Sequence, residues 1–183
     1  MDVDELRQRE VHGEPFELLF FWGHRPLPNG KIGTNCLSQW WAAPFEVDGG
    51  VFATAEHFVM VGKARLFGDE AIAAHILKST APEEAIDLGR EVRGFEQSVW
   101  IAARYGIVVA ANRAKFTVRP ELGVYLTQHT GQKVLVHANP SDQLWGIGLA
   151  PNDIRARKPT EWHGKNLLGF ALMEVRDELR ALV

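Results

Sequence analysis

The sequence predicts an α+β fold, a helix-dominated single domain with a small β-sheet. Three observations predict it. Apolar residues recur at the helical period in several stretches, most clearly at Leu168, Leu172, Val175, Leu179 and Leu182. Only short apolar runs bounded by turn residues read as strands, such as 17–22 and 133–137. Of the 183 residues 46% are hydrophobic and 23% charged, the balance of a chain that folds around a core. No repeat, low-complexity tract or linker divides it. The domain is therefore expected over 16–183, behind a flexible N-terminal arm at 1–15.

Each element has its own signal. Residues 1–15 are polar and acidic and read as a loose arm, without the apolar stretch of a secretory leader. Residues 17–22 (ELLFFW) form a strand, and 25–33, with Pro26, Pro28 and Asn29-Gly30, a loop. Residues 36–52 alternate aromatic and small residues around Pro44 and Gly49-Gly50, which suits two short strands and a turn. A helix is predicted over 54–66, with Thr54 as N-cap and Glu56 in the first turn. Asp69 caps a second through Leu77. Thr80-Ala-Pro-Glu83 has the spacing of a capping box and opens a third to about Arg90. Residues 95–114 carry Val99, Trp100, Ala103, Ile107 and Ala111 at helical spacing. Pro120 opens another helix, stopped near Thr130-Gly131. Residues 133–137 form a buried strand, 139–162 a long loop of the kind that often carries function, and 166–182 the last helix.

Charge and composition exclude several functions. The formal net charge is −3, so no global basic field draws the chain to nucleic acid, and any such contact needs a local patch. The single cysteine, Cys36, forms no internal disulfide, which fits a reducing compartment. The apolar run at 107–111 is far short of the roughly 20 residues of a membrane span, so no membrane contact and a cytoplasmic location are expected. There is no Gly-x-Gly-x-x-Gly, phosphate loop or His-Glu-x-x-His, and the histidines at 12, 24, 57, 75, 129, 137 and 163 lack metal-ligand spacing. No cofactor and no metal are expected. Cys36 as nucleophile has no base beside it in sequence.

Three segments cluster polar groups among aromatics and glycines. In the first, Glu56 and Lys63 are seven residues apart and so lie within about 20° on one helix face, with Met60 between them. That face suits an acid/base group paired with a nucleophile; it equally suits a solvated helix surface. In the second, Asp142 precedes Trp145, Gly146 and Gly148. The aspartate can simply bond its own turn, or the glycines can lay backbone against a ligand's phosphate or sugar. In the third, Gly164 and Asn166 open the last helix and Gly169 follows. Asn166 is a good N-cap, and a helix N-terminus behind a glycine is also an anion site.

These residues carry a resemblance. Leu37-Ser38-Gln39-Trp40-Trp41, Thr54-Ala55-Glu56-His57-Phe58, Gly62-Lys63-Ala64, Ala114-Lys115-Phe116, the stretch from Asp142 to Gly148, and the stretch from Gly164 to Gly169 with Leu172-Met173 resemble, in order, the NADAR family with its YbiA-like fold. The match runs from about Phe20 to the C-terminus. The resemblance implies an N-glycosidase that splits a ribose–nitrogen bond. Described substrates are ADP-ribose attached to guanine in nucleic acid and early riboflavin-pathway intermediates. It implies Lys63 as nucleophile, Glu56 as acid/base partner and Asp142 as a third catalytic group. Substrate-binding roles are implied for Ser38, Gln39, Trp40, His57, Lys115, Trp145, Gly146, Gly148 and Asn166. Two positions depart from the family pattern. His137 stands where many relatives have Glu, and Ser38-Gln39-Trp40 stands for Ser-Asn-Phe, which suggests a subgroup with its own substrate.

Lysine chemistry fits such a reaction. A neutral amine can attack the anomeric carbon and, after ring opening, hold the sugar as an imine, provided burial or a nearby cation lowers its pKa. Trp40, Trp100 and Trp145 are candidates for stacking on a base, with Trp100 on its helical stripe also suited to the core. Lys115 or the helix start at Asn166 can meet a phosphate. The leading reading is removal of ADP-ribose from guanine bases of DNA or RNA. The rivals are cleavage of a riboflavin intermediate, a non-catalytic sensor of NAD or ADP-ribose, and a regulatory partner with a vestigial pocket. The sensor has no need of a nucleophile. In the enzyme, Glu56 and Lys63 are expected to share a polar cleft with Asp142 or Trp145.

Overall fold

A computed structural model of the chain describes residues 1–182, with seven α-helices and four short strands among them. The backbone packs as two units, one formed by 39–123 and the other by 1–38 together with 124 onward.

The 39–123 unit opens with an antiparallel hairpin of β2 (Phe45–Val47) and β3 (Gly50–Phe52), pairing Phe45 with Phe52. Asp48 and Gly49 turn it with φ of 50° and 74°, the left-handed pair that a two-residue hairpin turn requires. Four helices follow: α2 (Ala55–Leu66), α3 (Glu70–Lys78), α4 (Pro82–Arg90) and α5 (Gln97–Val118). Thr54 caps α2 by accepting from the His57 amide, and Asp69 caps α3 by accepting from the Ile72 amide, as their spacing predicts. The Thr80 capping box does not form. Pro82 holds Ala81 extended (φ −96°, ψ 130°), so the helix starts at Pro82 and Ala81 takes the cap position without a side-chain bond. Phe45, Phe52, Val61, Ala64, Ala73, Ile76, Ala85 and Val92 make the core of this unit.

In the other unit, β1 (Leu18–Phe21) pairs in parallel with β4 (Val134–His137), Leu18 opposite Val134 and Phe21 opposite His137. Residues 1–15 are not a structureless arm. They carry α1 (Val3–Val11), with Asp2 and Glu5 forming a reciprocal capping box. Leu6 is fully buried, and the Arg7 guanidinium donates to the carbonyls of Pro159 and Trp162. Helix α6 (Pro120–Val124), which begins at the end of the 39–123 segment, runs into a π-helical turn at Tyr125–His129. The 139–162 loop contains two single 3-10 turns, Ile154–Arg157 and Pro159–Glu161. Helix α7 (Leu167–Ala181) buries Leu168, Leu172 and Val175, but Leu182, the last residue of the expected stripe, is 81% exposed. Arg176 donates from α7 to the Lys133 carbonyl at 2.7 Å, tying the helix to the strand it covers.

Candidate active site

In the 39–123 unit, α2 sets the geometry. Glu56 sits half-buried in its first turn and Lys63 half-buried two turns later, about 10 Å further along the axis. His57 is 1% exposed. Its Nδ1 shares a 2.8 Å hydrogen bond with the Thr54 hydroxyl. Burial lowers its pKa, against the opposing charge of Glu84 and the Ser79 backbone. The ring therefore favours its neutral form.

The Lys63 amine donates to the Gly89 carbonyl at 2.6 Å, in the last turn of α4. Two glycines let side chains of neighbouring helices approach closely here. A Cβ on Gly62 would come within 2.8 Å of Ile107, and one on Gly89 within 2.4 Å of the Met60 sulfur. Aromatic rings flank the amine, with the Phe95 centroid at 4.6 Å and that of Trp100 at 5.8 Å. Burial lowers the Lys63 pKa, and the positive charge of Arg90 lowers it further. An amine so placed releases its proton more readily than an ordinary lysine, which a nucleophile requires.

Other predicted binding residues of this unit lie inward. Gln39 is 9% exposed, with neither side-chain polar atom bonded among the described residues, while its carbonyl accepts from the Glu56 amide. Lys115 is fully buried on α5, its amine 5.0 Å from the Phe116 ring centroid, rather than at the surface where a phosphate would arrive. Trp40 is half-buried.

In the second unit, the groups after β4 turn onto their own chain. Asp142 Oδ1 accepts from the amides of Leu144 and Trp145 at 2.9 and 2.8 Å, and its Oδ2 lies 4.0 Å from His137 Nδ1. Burial lowers the His137 pKa, and the Asp142 charge and the Trp145 backbone oppose that. The imidazole stacks on Phe21. A Cβ on Gly146 would lie 2.8 Å from the His137 carbonyl, and Gly148, at φ 69°, donates to the Asp142 carbonyl. These glycines serve close packing of this loop on itself. Asn166 is not a side-chain N-cap. It adopts φ 53°, accepts from the His137 amide and donates to the Leu135 carbonyl, both at 2.9 Å. The amides of Lys165, Asn166, Leu167 and Leu168 donate to the carbonyls of Gln143, Gly146, Leu144 and Trp145. With its first amides so engaged, the start of α7 does not offer the anion site expected from sequence. Trp145 is half-buried and Ser38, which ends the first segment of this unit, is half-buried too.

Sequence reasoning did not single out Gly89, Arg90 or Phe95. Phe95 precedes a helix, outside any period, and only its place beside Lys63 gives it meaning.

Three comparisons show which known proteins the chain is similar to. The NADAR domain pattern matches residues 20–180. The chain is 36% identical over 170 residues to N-glycosidase R617 of Acanthamoeba polyphaga mimivirus, covering 90% of this chain and 98% of that protein. It is 30% identical over 143 residues to N-glycosidase YbiA of Escherichia coli strain K12, covering 78% and 80%. The solved NMR structure of E. coli YbiA superposes with a TM-score of 0.70 at 27% identity, over 91% of this chain and 86% of that one. Among the described residues no helix is long and apolar enough to cross a membrane.

Proposed function

The chain belongs to the NADAR domain family, and from that premise we propose that it is an N-glycosidase that removes ADP-ribose from guanine bases of DNA or RNA. One observation carries the reading. The Lys63 amine is half-buried, bonded to a single carbonyl, flanked by two aromatic rings and depressed in pKa by burial and Arg90. A sensor would gain nothing from a lysine so prepared. The names of two relatives, N-glycosidase R617 and N-glycosidase YbiA, support the same class of reaction.

In this mechanism the neutral Lys63 amine attacks the anomeric carbon, forming a carbon–nitrogen bond as the bond to the base breaks. The base leaves with the bonding electron pair and takes a proton at its nitrogen. The attached ammonium loses a proton, and ring opening converts the adduct to an imine of the open sugar. Water adds to the imine carbon, the amine is expelled, and the sum is glycoside plus water to ADP-ribose plus base. Glu56, on the same face of α2, supplies and recovers the protons. Asp142 orders the loop that carries Trp145 through its two amide bonds.

The test is incubation of the protein with guanine-ADP-ribosylated DNA and, in parallel, with ribosylated riboflavin intermediates, followed by mass spectrometry of the products. Release of ADP-ribose and restored guanine is the expected result. Turnover of the intermediates alone would move the substrate to the second class, and turnover of neither would overturn the reading.

A further inference from the structure

We propose that Phe95 is the platform on which the leaving base of the substrate stacks, its ring held in place for that purpose beside the Lys63 amine. The inference rests on the N-glycosidase reading and narrows it to glycosides whose leaving nitrogen belongs to a flat aromatic ring.

A single exposed aromatic residue is unremarkable in itself. What distinguishes Phe95 is how it is held. The residue is 45% exposed, yet its ring packs on Phe67 at 5.3 Å between centroids, tilted by 57°. Two residues earlier, Arg93 is clamped to Asp69. Its Nε and Nη2 donate to the two carboxylate oxygens at 2.9 and 2.7 Å, and its amide donates to Oδ2 at 3.0 Å. Asp69 is 3% exposed, and the arginine holds its pKa far below the usual carboxylate range. Gly94 then turns the chain at φ 70°, a conformation that favours glycine. A buried carboxylate thus fixes the backbone from which the exposed ring projects.

The position suits a leaving group. An attacking nitrogen stands about 3–3.5 Å from the carbon it will bond. One further bond of about 1.5 Å carries the base. The first atom of the base then lies about 5 Å from Nζ, and Nζ itself stands over the Phe95 ring, 4.6 Å from its centroid. A planar heterocycle on that carbon comes within reach of the part of Phe95 that is open to solvent. Trp100, half-buried on the first turn of α5, flanks the amine as a second ring. Stacking is tolerant of base identity, so Phe95 supplies affinity for flat bases in general.

The experiment is titration of the full chain with guanosine 5′-monophosphate, followed by tryptophan fluorescence and calorimetry, in the wild type and in Phe95→Leu and Phe95→Trp. Leucine keeps apolar bulk and loses the π face; tryptophan restores it. The expected result is affinity weakened by about 5- to 150-fold in Phe95→Leu, restored in Phe95→Trp, with thermal midpoints unchanged. Equal affinity in Phe95→Leu and wild type would overturn the platform, as would no binding by the wild type at millimolar nucleotide. A leucine-sensitive affinity in a protein that cleaves no N-glycoside would instead retain the platform and remove the reaction.

Discussion

Lys63 and Asn166 both lie in family motifs, and the structure uses them in opposite ways. The Asn166 side chain spends its acceptor on the His137 amide and a donor on the Leu135 carbonyl, and the nearby Asp142 spends Oδ1 on two amides. The Asn166 side chain and Asp142 Oδ1 are committed to nearby backbone. The Lys63 ammonium has three donors and, among the described residues, makes one hydrogen bond, to Gly89, with aromatic rings on its flanks. Saturated groups hold a frame, because each is costly to move. An under-saturated amine retains capacity for a substrate.

The sharpest way to break this contrast is Lys63→Arg. Arginine keeps the charge but stays protonated, so activity should vanish. Borohydride added during wild-type turnover should trap an adduct of the ribosyl portion on Lys63, and none in the variant; full activity of Lys63→Arg would end the covalent mechanism. Next in size is Asn166→Ala. It leaves the His137 amide and Leu135 carbonyl without partners and places alanine at φ 53°. We expect a loss of about 2–5 kcal/mol in denaturant unfolding, since each orphaned buried group costs about 1–3 kcal/mol. A variant as stable as the wild type would show that the frame is not where we place it.

Trp145→Ala sharpens the contrast inside the second unit, because its ring is half-buried in an otherwise committed loop. It should cost less than the roughly 3–5 kcal/mol of a core tryptophan and weaken substrate binding by about 1–3 kcal/mol. Severe destabilisation with unchanged affinity would make Trp145 framework. The smallest change is expected from Arg90→Gln. The attacking amine is the neutral form, and its pKa lies below the ordinary 10.5. The pH profile of kcat/KM should therefore rise through that lowered value and level off above it. Removing the Arg90 cation shifts the rising limb upward, so activity at neutral pH falls while the plateau is kept. A limb that does not move would leave burial as the sole cause.

Helices α2, α3 and α5 were legible because caps and apolar periods are local. Thr54 and Asp69 announce their helices within four residues. Helix α1 also carries a local signal, Asp2 with Glu5, but its polar composition argues for an arm. Its buried Leu6 and the Arg7 bonds to carbonyls more than 150 positions away are invisible in a linear reading. Thr80 has the spacing of a cap and loses it to the proline two residues on. At the candidate site, the register of Glu56 and Lys63 follows from helix geometry alone. The Gly89 carbonyl and the Phe95 ring do not: the first lies 26 positions from Lys63, and the Asp69–Arg93 pair that fixes the backbone before the second spans 24.

The hydrogen bond from Lys63 to Gly89 also bears on stereochemistry. A neutral amine is tetrahedral, with one carbon, two hydrogens and a lone pair. Helix α2 carries the carbon, and the Gly89 carbonyl claims one hydrogen. The lone pair is left with two orientations, which exchange it with the second hydrogen. A nucleophile held to two directions meets a sugar from a chosen side, so the α and β anomers of one glycoside are unequal before any group has touched the base.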